Sequence, residues 1–69
     1  MKIDYSSEEL ISAFYDYTGE TEDGRQFVIH ATWDSWDDYA VDSVEWLGET
    51  KGTEEEEEEI IEKFLADNN

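Results

Sequence analysis

Carboxylates outnumber cationic side chains 21 to four in these 69 residues, so whatever the chain folds into must hold together against a net charge of −17. That imbalance argues against direct binding to DNA, RNA or an anionic membrane, since each presents a polyanionic surface that repels this one. High net charge with modest hydrophobicity is also the signature of disorder. Leu, Ile, Val and Phe together number 14 of 69, close to the roughly 20% below which disorder is favoured. The aromatic residues tip the balance toward folding. Three Trp, four Tyr and three Phe are available, and each ring can bury roughly 150–250 Å². Pro is absent, which suits regular elements.

One small domain is the expected organisation. Without Cys there is no disulfide framework, thiolate metal site or cysteine nucleophile. The start, Met1-Lys2-Ile3-Asp4, lacks the apolar core of a signal peptide, and no run approaches the roughly 20 apolar residues of a membrane span. A cytoplasmic, membrane-free chain is therefore expected. Natural domains below about 70–80 residues usually add a staple to their core. With disulfides absent and no metal cluster in view, a homodimer is the expected one.

Residues 1–9 read as a polar lead-in. Ser6-x-x-Glu9 has the form of a capping box that would open a short helix through Leu10, Ile11 and Phe14. The competing pattern is the alternation of Ile11, Ala13, Tyr15 and Tyr17 on one face of a strand reaching about Gly19, which aromatic density favours. Thr21-Glu22-Asp23-Gly24 is a turn signal. From Arg25 to Trp33 the alternation is clean, with Phe27, Ile29, Ala31 and Trp33 opposed to Gln26, Val28, His30 and Thr32. Asp34 to Asp38 reads as a connection, and Tyr39 to Leu47 as a third strand whose broken alternation suggests a bulge near Asp42-Ser43. After Gly48 to Gly52, a capping box Thr53-x-x-Glu56 opens a helix over about 53–66, with Ile60, Ile61, Phe64 and Leu65 as its apolar stripe. The expected fold is α+β: a three-stranded antiparallel β-meander over about 10–47 with one C-terminal helix packed on one face, β-β-β-α. Val28, Val44 and Trp46 are expected on the uncovered side.

Two acidic sets are the candidate partner-binding residues. The first is Glu54, Glu55, Glu56, Glu58 and Glu59 on the helix, where Glu59 is placed to pair with Lys63 at i+4. The second is Asp34, Asp37, Asp38, Asp42 and Glu45, interleaved with aromatic residues that include Trp36. Small domains are comfortable at a net charge of magnitude about 2–8, so the excess points to a cationic partner. No EF-hand spacing is present. His30 has no second His or Cys with which to share a metal or build a nucleophile–base pair. No cofactor, resident metal or catalytic group is expected, and the chain reads as a binding protein and not an enzyme.

In size, charge and sheet-plus-helix pattern over its whole length, the chain resembles the small acidic DNA-mimic proteins that bacteriophages use against host DNA-handling proteins. The resemblance includes no motif, so it assigns no residues. It implies an inhibitor acting in the host cytoplasm during takeover, seated on the basic DNA-binding surface of a host protein such as a histone-like nucleoid protein. Two other readings stand beside it. One is an acidic interaction or structural homodimer domain that binds a basic partner without imitating DNA. The other is a salt-adapted orphan domain, against which the bunching of Glu54 to Glu59 argues.

Overall fold

The segment with the cleanest alternation lies at the centre of the hydrophobic core. A computed structural model of the chain describes residues 1–11, 14–34 and 38–68. Four antiparallel strands, β1 (Lys2–Ile11), β2 (Phe14–Glu20), β3 (Gln26–Asp34) and β4 (Asp38–Trp46), precede one helix, α1 (Glu54–Asn68). The sheet order is β1-β2-β3-β4, a meander in which each strand pairs with its neighbour in sequence. Phe27, Ile29 and Ala31 of β3 are fully buried, joined by Ile3 and Tyr17 from the sheet and Ile60 and Phe64 from α1. Among the described residues no charged or polar side chain is buried with them. The carboxylates of the described residues lie outside that core.

The β2–β3 turn forms where Asp23-Gly24 predicts it. Gly24 sits at φ 90°, a left-handed conformation that glycine adopts without a steric penalty. The turn is closed by Thr21 N–H donating to the Arg25 carbonyl at 2.8 Å. The helix start also follows its signal. Glu56 N–H donates to Thr53 Oγ1 at 3.2 Å, and Thr53 N–H donates to Glu56 Oε1 at 3.1 Å. Both halves of the capping box are therefore made, satisfying donors that the first turn leaves orphaned. The helix runs two residues past the expected end, and there Asn68 Nδ2 donates to the Phe64 carbonyl at 2.8 Å.

The sheet has four strands and not three, because residues 2–9, expected as a lead-in or the start of a short helix, are part of β1, and the expected first strand from Ile11 is divided between β1 and β2. The hydroxyls explain why Ser6-x-x-Glu9 does not cap a helix. Ser6 donates backward to Asp4 Oδ1, from its N–H at 3.0 Å and its Oγ at 2.5 Å. Ser7 Oγ donates to the Asp4 carbonyl at 2.6 Å and accepts the Thr18 N–H at 2.8 Å. Short polar side chains thus compete with helix formation by bonding nearby backbone, and Ser7 substitutes for a ladder carbonyl toward β2. The register records the consequence: Asp4 pairs with Thr18 and Glu9 with Asp16, so Tyr5 to Glu8 face Tyr17 alone.

A second correction concerns β4. His30 pairs with Ser43 but Ala31 with Val41, which makes Asp42 the extra residue of a bulge. The bulge is where the broken alternation placed it, and it resets the phase of the strand. Val41, Val44 and Trp46 consequently all pack against the core on the helix side. Val44 and Trp46 do not lie on the bare side, where they were expected. Trp46 meets Phe27 edge-on, with ring centroids 5.7 Å apart.

Candidate functional site

The first candidate surface grows out of the start of α1. Glutamates in a first helical turn lie at the positive end of the helix dipole, so Glu54 to Glu57 are favourably placed there despite their crowding. Glu56 is the member with a cationic partner. The Arg25 guanidinium donates to it from Nη1 at 3.1 Å and from Nη2, a two-pronged pairing. Arg25 also donates from Nε to Asp23 at 3.0 Å, and its guanidinium carbon lies 5.4 Å from the centroid of the Trp46 ring. Arg25 thus pins the helix to the β2–β3 turn. Its hydrogen bonds, with the Thr53 N–H second, hold the Glu56 carboxyl below the usual carboxylate range. Glu54, Glu55, Glu58 and Glu59 are exposed, and among the described residues no ion pair reaches them. Lys63 pairs with Asp67 at 3.6 Å and not with Glu59.

The second surface is the sheet face opposite α1. Alternation along β3 places Val28, His30 and Thr32 there, and the register adds Asp16 and Thr18 from β2 and Ser43 and Glu45 from β4. His30 Nδ1 lies 2.7 Å from Asp16 Oδ1, and Nε2 lies 3.9 Å from Glu45 Oε2. Thr32 Oγ1 donates to Asp42 Oδ2 at 2.5 Å, so the bulged residue turns its carboxylate to this face. Asp34 and Asp38 are backbone partners at the end of the β3–β4 hairpin, and Trp36 and Asp37 lie outside the described residues. The acidic candidates therefore do not form one patch. Asp42 and Glu45 share a face with each other, while Glu54 to Glu59 belong to the helix on the other side of the sheet.

Sequence reasoning missed Asp16 as a member of the bare face. The signal was present: Asp16 lies between Tyr15 and Tyr17, and an alternating strand turns it away from them. Several carboxylates elsewhere are held in their charged form by local donors. Asp4 lies below the usual range through the Ser6 hydroxyl, Asp23 through the Thr21 hydroxyl and then Arg25, and Asp67 through the Tyr5 phenol. In return, Tyr5 is pushed up to about 12, first by burial and then by that bond, which measures 2.5 Å.

Among the described residues no three of His, Asp and Glu converge as a metal ion requires. No described helix is long and apolar enough to cross a membrane. No protein-family model, curated protein or solved structure matches the chain.

Proposed function

We propose that the protein imitates the charge of a DNA duplex and occupies the basic DNA-binding surface of a host protein, as an inhibitor in the manner of the bacteriophage mimics it resembles. The observation that carries this reading is its charge per unit length. The molecule measures 35 × 21 × 18 Å, and its long axis compares with one helical turn of DNA, roughly 34–36 Å. A net charge of −17 along 35 Å amounts to one charge per about 2 Å, against about 1.7 Å for duplex DNA. The helix reaches that density locally. Six glutamates rise about 1.5 Å each, and among the described residues only Glu56 of the six has a cationic partner. A basic cleft attracts such a surface over a long range and loses counterions to it as it would to phosphate.

The division of carboxylates between the two faces supports a second reading, in which the chain binds a basic partner without entering a DNA cleft. A cleft open on one side contacts a single face.

Charge substitution tests the first reading, with a purified histone-like nucleoid protein as partner. Glu54, Glu55, Glu58 and Glu59 changed together to Gln should slow association about tenfold or more at low ionic strength, with the gap closing as salt is added. Stopped-flow rates across a salt series measure this. An unchanged rate would remove the helix glutamates from the interface. A similar fall from Asp42→Asn with Glu45→Gln alone would move the decoy to the bare face.

A further inference from the structure

Helix α1 is shorter than the sheet it covers. Fifteen residues of helix span about 22 Å, whereas the strands of nine and ten residues reach about 30 Å. The last helical turn ends over β1 at Tyr5, whose phenol bonds Asp67. Beyond that point lies the row Leu10, Tyr15, Ala31 and Val41, followed by Trp33, all on the helix side by register. Ala31 is buried and Tyr15 and Val41 pack on the core, which leaves Leu10 and Trp33 as the open members. Leu10 is 61% exposed and Trp33 48%. Phe14, on the other face at the same end, is 52% exposed. The row and Trp33 include no charged residue in a chain of 21 carboxylates, and Glu9, Asp16 and Asp42 border them from the opposite face.

We propose that this end of the sheet anchors a cationic protein surface that presents an aliphatic or aromatic side chain among Lys and Arg. The proposal deepens the reading above by adding to its screened electrostatics a contact that salt does not weaken. Charge complementarity selects the occupant. A second copy would bring another 17 negative charges to the border of the patch. The exposed parts of Leu10 and Trp33 offer only on the order of 200 Å² on the helix side, well short of the roughly 800 Å² per partner in a standard interface. A cationic partner makes up the difference through carboxylates on the same side, Glu8 at the Tyr17 hydroxyl and Asp67 at the Tyr5 hydroxyl. Trp33, half exposed on the same face as Leu10 two strands away, is of a residue type enriched in binding hot spots.

Two synthetic peptides of equal length and charge test this: one of Lys and Gly only, and one with Leu and Phe in place of its central Gly residues. Both should bind the full chain at low ionic strength. The Leu/Phe peptide should bind about tenfold more tightly and keep that advantage at high salt. Leu10→Ser with Trp33→Ser should abolish the advantage and leave Lys/Gly binding unchanged. Should that variant unfold, the Trp33 indole N–H resonance of the native chain gives the same answer, shifting with the Leu/Phe peptide and not with the other. Equal affinities, or an advantage that the double substitution leaves intact, would overturn the proposal. So would sedimentation of the native chain as a dimer that the substitution dissolves, the outcome for a second copy as occupant. DNA mimicry fails separately, if duplex DNA and the protein occupy a basic partner together.

Discussion

Phe64→Ala leaves the chain without a cooperative unfolding transition at room temperature. The ring is fully buried, 5.2 Å centroid to centroid from Tyr17 and 6.3 Å from Tyr5, and with Ile60 it makes up the buried contribution of α1. Truncating a buried Phe to Ala costs about 3–5 kcal/mol. A core of this size supplies about 3–5 kcal/mol in all, so the loss consumes most or all of it. Self-repulsion among 17 net charges leaves little reserve. Urea titration followed by circular dichroism should show a sloping, transition-free signal for the variant. A cooperative transition with a midpoint near that of the native chain would mean that α1 is not held to the sheet through Phe64.

Gly19→Ala is the second large loss, by about 1–3 kcal/mol. A Cβ at Gly19 would overlap the edge of the Phe27 ring and come within 2.8 Å of the Lys2 carbonyl oxygen. Neither neighbour is free to retreat. Phe27 is fully buried and wedged edge-on against Trp46, and Lys2 is backbone in the adjoining strand, where Ile3 pairs with Gly19. The cause is space and not backbone freedom, so removing volume across the contact should restore part of the stability. Gly19→Ala combined with Phe27→Leu should be more stable than the sum of the two single losses. Strict additivity in denaturant melts would show that the two positions do not meet.

Much of the architecture is legible from local pattern. The alternation about Phe27, Ile29 and Ala31, the Asp23-Gly24 turn, the Thr53–Glu56 capping box and the bulge at Asp42 each follow from residues close in sequence. β1 is not legible in that way. Its Asp4, Ser6, Ser7, Glu8 and Glu9 have little preference for strands, and the bonds that hold it, such as Ser7 Oγ to the Thr18 N–H, depend on β2 already being alongside. The placement of Val44 and Trp46 failed for a related reason. Recognising a bulge does not say which side of it keeps its phase, and only pairing with β3 fixes that. The acidic sets were legible as composition but not as surfaces, because the opposition of Glu54–Glu59 to Asp42 and Glu45 is a property of how α1 crosses the sheet. Leu10 and Trp33 stand exposed past the point where the helix ends at Tyr5, a matter of relative length that no single segment records.

The most direct test of duplex imitation is displacement. A fluorescent duplex is saturated with a histone-like nucleoid protein, and the acidic chain is titrated in at several duplex concentrations. Release of the duplex, with an apparent affinity that weakens in proportion to the duplex present, is the result expected of a shared site. A stable complex holding the duplex and the acidic chain on the basic protein together would contradict it.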